Sequence, residues 1–243
     1  MPAVLLIIPC YRERDRLPTF LPELCAATRG VPGLRLRVVD DGSGTEQQKW
    51  LSDYVESLRP DCPALEPTQL NPKNLGKGGA VYSGWDLPGD AQLLGFVDAD
   101  GAIAVPEIVR LLASLENPAE AVYAVRTGQS GTVVRRAFYR RVAGQIFRRI
   151  VRRLFSFPVP DTQCGFKLVP AAAYRSIRDR LKEERFTFDV ELTWHLLHAG
   201  IKVRPVPINW TERPGSRLRA AGVLAMYCSL QTLRRNLGDW RPS

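Results

Sequence analysis

At 243 residues, 45% hydrophobic and with a formal charge of +9, the chain has the material for one substantial core and a small appendage. No apolar run reaches about 18 residues, and Met1 leads into Val4-Leu5-Leu6-Ile7-Ile8 without a basic leader or cleavage site, so neither export nor membrane spanning is expected. Five scattered cysteines, Cys10, Cys25, Cys62, Cys164 and Cys228, lack the spacing of a zinc site or a disulfide scaffold, and reduced thiols in the cytoplasm are expected.

Val4 to Ile8 is a continuous apolar run that stops at Pro9, the pattern of a strand buried on both faces. A helix is predicted over 16–29, then a strand from Leu34 to Val39 that ends in the turn-forming cluster Asp40-Asp41-Gly42-Ser43, then a helix from Glu46 to Leu58. Leu93 to Val97 is a further buried strand, ending at Asp98-Ala99-Asp100-Gly101, and Pro106 opens the next helix. This alternation predicts a mainly parallel sheet, whose ligands bind at the carboxyl ends of strands, so both acidic clusters should face one crevice.

After a strand at Val122 to Val125, no acidic residue occurs from Ala121 through Pro160, while nine arginines do. Phe138, Val142, Ile146, Ile150 and Leu154 recur every four residues among them, which predicts an amphipathic helix with arginines flanking an apolar stripe. Such a helix either packs its stripe on the sheet or lies in a bilayer interface against anionic headgroups. The acidic pair Asp189 and Glu191 opens a helix, where the helix dipole alone favours carboxylates, so each is equally a structural residue or a functional one. His195 and His198 are assigned to packing or surface, and Trp194 and Trp210 to the core in preference to a substrate wall.

Two carboxylates one residue apart at a strand end, Asp98 and Asp100, can address one hard divalent cation, with a diphosphate completing its oxygen shell; taken alone, the same tripeptide also fits a solvated turn. Gly76-Lys77-Gly78-Gly79 either brings backbone and lysine to a phosphate or simply starts a helix. It lacks the Ser or Thr that a P-loop needs after its lysine, which argues against a P-loop ATPase.

Ile8-Pro9-Cys10-Tyr11-Arg12-Glu13, Val39-Asp40-Asp41-Gly42-Ser43, Asn74-Leu75-Gly76-Lys77-Gly78-Gly79-Ala80 and Val97-Asp98-Ala99-Asp100-Gly101-Ala102 resemble the ordered motifs of family 2 glycosyltransferases. Asp161-Thr162-Gln163-Cys164-Gly165-Phe166-Lys167, the segment from Arg185 to Leu192, and the segment from Trp210 to Arg217 are similar to the dolichyl-phosphate glucosyltransferase and mannosyltransferase branch. The likeness runs to about Arg219. It implies an α/β, GT-A (Rossmann-like) single domain with a mainly parallel central sheet over 1–219, and a basic helix or tail over 220–243. It further implies an inverting enzyme moving a hexose from a UDP- or GDP-sugar to a polyprenyl or dolichyl phosphate.

By the same resemblance Pro9, Tyr11, Glu13, Asp40, Asp41, Lys77, Asp98 and Ala99 would contact the nucleotide, and Asp98 and Asp100 would hold Mg²⁺ or Mn²⁺. Arg213 and Arg217 would meet the diphosphate, while Arg126, Arg136 and Arg140 would face the acceptor phosphate, with Asp161 shaping that site. A phosphate acceptor with a second pKa near ~6 is already ionised, so no side-chain base is needed. Arg12 stands where the family often has Asn, and Ala102 where the mannosyltransferases have a metal-binding Gln, which favours glucose over mannose. The expected location is the cytoplasm, peripheral on the membrane face. A soluble acceptor is the alternative. A nucleic-acid-binding module ranks lower, because no recognition motif accompanies the arginines and nucleic acid is not an expected partner.

Overall fold

The computed structural model describes residues 1–126, 134–135, 138–211 and 220–237. In chain order the elements are β1 (Val4–Cys10), α1 (Leu17–Ala27), β2 (Leu34–Asp40), α2 (Thr45–Leu58), β3 (Gln69–Leu70), α3 (Lys77–Trp85), β4 (Leu93–Val97), α4 (Val105–Ala113) and β5 (Ala121–Val125). They continue with β6 (Val134–Arg135), α5 (Phe138–Phe155), β7 (Phe166–Pro170), α6 (Ala171–Ile177), α7 (Phe188–His198), β8 (Val203–Pro207), β9 (Trp210–Thr211) and α8 (Ala220–Leu237).

Seven strands form one sheet in the order β3-β2-β1-β4-β7-β5-β8. All neighbours are parallel except β7, which runs antiparallel to both β4 and β5. β1 shows why the apolar runs make central strands. Val4, Leu6 and Ile8 enter the core on one face, with α1, α2 and α4, while Leu5 and Ile7 enter the core on the other, with α3, α6 and α7. β1 outlasts the expected stop at Pro9. Its ladder with β4 ends at Ile7 and Phe96 while the ladder with β2 continues to Cys10 and Asp40, so Pro9 sits where the strand has a partner on one side only, a place tolerant of a missing N–H.

The arginine-rich helix does not lay its stripe on the sheet. Val151 and Phe155, with Phe147, Ile150 and Leu154 beside them, pack against Val190, Trp194 and Leu197 of α7 and Leu230, Leu233 and Leu237 of α8, forming a third core. The physical reason is occupancy, since both sheet faces are already covered by six other helices. Among the described residues no helix is long and apolar enough to cross a membrane.

His195 is buried beside this region, and among the described residues neither ring nitrogen has a hydrogen-bond partner. Burial, helped by Arg180 and His198, lowers its pKa to about 4. The folded chain therefore resists protonation that the unfolded chain accepts near pH 6.5, so the His195 contribution is complete above that pH and disappears as pH falls toward 4. Between pH 7 and 4.5 this amounts to about 2 kcal/mol. Urea titrations across that range are expected to show the loss in the natural protein, and a smaller loss in His195→Phe.

Candidate functional site

β2, β1 and β4 are adjacent and parallel, so the acidic clusters that follow β2 and β4 stand at the same, carboxyl end of the sheet. Asp98 directly follows β4, and its N–H donates to the Gly165 carbonyl at 2.9 Å, extending the β4–β7 ladder by one step. Its side chain is 32% exposed and Oδ1 lies 2.6 Å from the Lys77 ammonium. Gly101 turns the chain at a φ of 66°, and Asp100 accepts the Ala102 N–H at 2.9 Å. Burial, then repulsion from Asp98, raises the Asp100 carboxyl despite the Ala102 hydrogen bond and the nearby Lys77 and Arg16. Ala99 between them is buried in the core.

These are two partly exposed carboxylates that repel each other, which is the condition a divalent cation relieves. Hard oxygen donors suit Mg²⁺ or Mn²⁺, and among the described residues no third His, Cys, Asp or Glu joins them. Coordination positions are thus left for diphosphate oxygens and water.

A buried charge series continues inward from Lys77. The ammonium of Lys167, fully buried within β7, sits 2.5 Å from Asp189 Oδ1, donates to the Cys164 carbonyl at 2.9 Å, and lies 5.1 and 5.0 Å from the ring centroids of Phe96 and Tyr123. Burial raises the Asp189 carboxyl, opposed by Lys167 and Lys77. Glu191 takes the backbone N–H groups of Lys182 and Glu183 at 2.9 and 2.7 Å, which fixes the loop before α7.

The β1 and β2 loops are laced together. Asp40 accepts Ser43 N–H and the Gln48 amide, both at 2.9 Å, and the Ser43 hydroxyl accepts Arg12 N–H at 2.8 Å. Asp41 accepts Leu75 N–H at 2.8 Å and Gly76 N–H and the Asn74 amide at 2.9 Å. Burial is the main influence raising its carboxyl, with the Leu75 and Gly76 N–H groups and Asn71 opposing it. Glu13 holds Arg16 through Nε at 2.7 Å, and Arg16 feels Asp98 and Asp100. The carboxylates assigned to the nucleoside thus tie these loops together, and Pro9 and Tyr11, both partly exposed, stand at the end of β1 beside them. Arg12 adopts a φ of 54°, a left-handed geometry that Asn tolerates better than Arg.

The glycines around Lys77 serve contact within the chain. A Cβ on Gly76 would approach the Glu184 carbonyl to 2.7 Å, and one on Gly78 the Phe188 Cβ to 2.5 Å. Gly79 N–H donates to the Glu184 carbonyl at 2.9 Å. This glycine run seats the start of α3 against the segment leading into α7.

Arg126 follows β5, feels the charge of Asp98, and grips Asp161 in a bidentate pair, Nε to Oδ2 at 2.7 Å and Nη2 to Oδ1 at 2.9 Å. Its guanidinium also lies 5.6 Å from the Trp210 ring centroid. Burial would raise the Asp161 carboxyl, but the charge and hydrogen bonds of Arg126, with Arg148, hold it well below the carboxylate range. Burial and then repulsion from Arg126 pull the Arg148 guanidinium down, with Asp161 opposing, and among the described residues its buried Nη1 has no hydrogen-bond partner. Arg136, Arg213 and Arg217 lie outside the described residues, as does the side chain of Arg140.

Sequence reasoning missed Arg16, Arg148, Gly165 and Lys167 as site residues. Gly165 is the one with a readable signal, a glycine immediately before a strand, where close approach is expected. A Cβ there would stand 2.2 Å from Asp98 Oδ2.

Residues 5–178 match the model of "Glycosyl transferase family 2". The chain is 30% identical over 223 residues to the dolichyl-phosphate beta-glucosyltransferase of Drosophila melanogaster, covering 87% of this chain and 68% of that protein. It is 28% identical over 231 residues to the polyprenol monophosphomannose synthase of Mycolicibacterium smegmatis, covering 89% and 83%. Among solved structures it resembles glucosyl-3-phosphoglycerate synthase from Mycobacterium tuberculosis in complex with Mn²⁺, UDP and phosphoglyceric acid, with a TM-score of 0.68 and 14% identity, covering 99% of this chain and 80% of that one. The fold is therefore GT-A, its mainly parallel sheet interrupted by the antiparallel β7.

Proposed function

This chain belongs to glycosyl transferase family 2, and we propose that it moves a hexose, glucose in preference to mannose, from a UDP- or GDP-sugar to a polyprenyl phosphate with inversion. The observation that carries the reading is that Asp98, beside Asp100, lies within electrostatic reach of Arg126, which in turn is paired with Asp161 and close to Arg148. One side suits a cation with a diphosphate, the other an anionic acceptor.

Mg²⁺ or Mn²⁺, held by Asp98 and Asp100, would supply charge neutralisation for the departing nucleoside diphosphate. An acceptor phosphate oxygen attacks the anomeric carbon as the bond from that carbon to the diphosphate oxygen breaks. The protein's work is placement. Arg126 and Arg148 screen the repulsion between two anions, Lys77 lies on the donor side, and the loops tied by Asp40 and Asp41 wall the nucleoside. Asp161 is held as an anion by Arg126 and takes no proton at neutral pH, in keeping with an acceptor that arrives ionised. Arg136, Arg140, Arg213 and Arg217 are assigned to the same anions by the resemblance.

Peripheral attachment at the cytoplasmic membrane face rests on the exposed arginines of α5. Its apolar stripe from Phe147 onward is occupied by α7 and α8, whereas Arg149, Arg152 and Arg153 are exposed. Each arginine near an anionic surface contributes ~1 kcal/mol. The natural protein is expected to float with phosphatidylserine vesicles at low salt and to glycosylate a short polyprenyl phosphate in them. Arg149→Glu, Arg152→Glu and Arg153→Glu together should lower vesicle binding by about 100-fold. Absence of flotation together with transfer to a soluble acceptor would replace the lipid reading by the soluble one.

A further inference from the structure

Lys77 is more than a phosphate contact. Its ammonium lies 2.6 Å from Asp98 Oδ1, on the carboxylate assigned to the divalent ion. The ring centroids of Phe96 and Phe188 stand 5.1 and 6.0 Å from it, and it is within electrostatic reach of Asp189 and Asp100. Asp189 already has its own cation in Lys167, so the mobile member of the series is Lys77. Its backbone is pinned, because Gly78 and Gly79 are seated against Phe188 and Glu184, while its four-carbon stem leaves the head free to move.

The local charge balance gives that freedom a direction. Asp98, Asp100 and Asp189 face Lys77 and Lys167, an excess of one negative charge. A divalent ion entering alone would have to separate Lys77 from Asp98 and would leave an excess of one positive charge. Entering with a nucleoside diphosphate, it arrives with anionic oxygens to which the displaced ammonium can move.

We propose that Lys77 is a tethered cation that competes with the divalent ion for Asp98 and moves to the diphosphate when the two arrive together, so that ion and nucleotide bind and leave as a pair. This positioning role rests on the function proposed above, and its test keeps the two separable.

Free Mn²⁺ is titrated by electron paramagnetic resonance against the full chain, with and without UDP and, in a second arm, GDP. In the natural protein Mn²⁺ and the accepted nucleotide should each tighten the other's binding by ~10-fold or more, as linkage requires. Lys77→Met keeps an unbranched chain between the two rings and should bind Mn²⁺ alone ~10-fold more tightly than the natural protein, with the nucleotide effect reduced by the same factor. Lys77→Arg should retain the weak binding of Mn²⁺ alone.

Lys77→Met binding Mn²⁺ no more tightly than the natural protein overturns the proposal, as does independent binding of Mn²⁺ and nucleotide in the natural protein, a result that needs no variant. Asp98→Asn separates the two readings. If it abolishes Mn²⁺ binding while Lys77→Met changes nothing, the lysine inference alone fails. If it leaves Mn²⁺ binding intact, the site assignment fails with it.

Discussion

Gly165→Ala is expected to reduce transfer by about 100-fold or more while moving the melting temperature by no more than a few degrees. The added methyl would lie 2.2 Å from Asp98 Oδ2 and 2.5 Å from its Cγ, so one of the two must move. The Asp98 side chain is partly exposed and can rotate, which keeps the folding penalty small. It can do so only by leaving the position it shares with Asp100, and misplacement by about 1 Å in a preorganised site is worth roughly 100-fold in rate. Steady-state kinetics beside thermal unfolding check this. Full activity in a folded Gly165→Ala protein would mean that Asp98 does its work from some other rotamer.

The second large effect concerns Arg126 and Asp161, the pair that the proposed function assigns to the acceptor side. Asp161→Ala strips the mostly buried Arg126 guanidinium of two hydrogen bonds at 2.7 and 2.9 Å and removes the carboxylate that pairs with its charge, a loss of about 3 kcal/mol. Arg126→Met with Asp161→Leu removes both charges and should recover most of that stability. Transfer should stay at least about 100-fold down in the double variant, because on the proposed function a cation facing the acceptor has been lost. Urea unfolding and transfer kinetics on the three proteins separate the two roles, and recovery of both stability and activity would assign the pair to the fold alone. In the natural protein the depressed Asp161 carboxyl contributes stability that is present above about pH 4 and is lost as pH falls further, below the unfolded value.

The parts of the structure legible in the sequence are those that one local physical rule decides. β1 and β4 are continuous apolar runs because both sheet faces are covered, and the turn clusters after β2 and β4 mark where those strands stop. Asp98 and Asp100 follow from strand-end logic and meet Lys77 as a carboxylate pair should. β7 was invisible because a lysine stands in the middle of a fully buried strand, and only its tertiary partners Asp189, Phe96 and Tyr123 make that tolerable.

The glycines near Lys77 were ambiguous for a related reason. A glycine advertises close approach without saying to what, and here the neighbours are Glu184 and Phe188, over a hundred positions away. The α5 stripe announced an apolar face correctly, yet its partners α7 and α8 lie further along the chain, and nothing local distinguishes them from a sheet or a bilayer. Arg148 had no sequence mark setting it apart from the other arginines. Its place beside Asp161 and Arg126, with a nitrogen unpartnered among the described residues, emerges only in three dimensions.

On the proposed function Asp98 and Asp100 together hold a divalent ion against the donor diphosphate. Transfer from UDP-glucose and GDP-mannose to a short polyprenyl phosphate, measured with Mn²⁺, with Mg²⁺ and with chelator, tests it most directly when Asp98→Asn and Asp100→Asn are assayed beside the natural protein. Metal-dependent transfer from one donor, lost by about 1,000-fold in either folded variant, is the predicted result. Equal transfer in chelator, or a folded Asp98→Asn protein that works like the natural one, would contradict it.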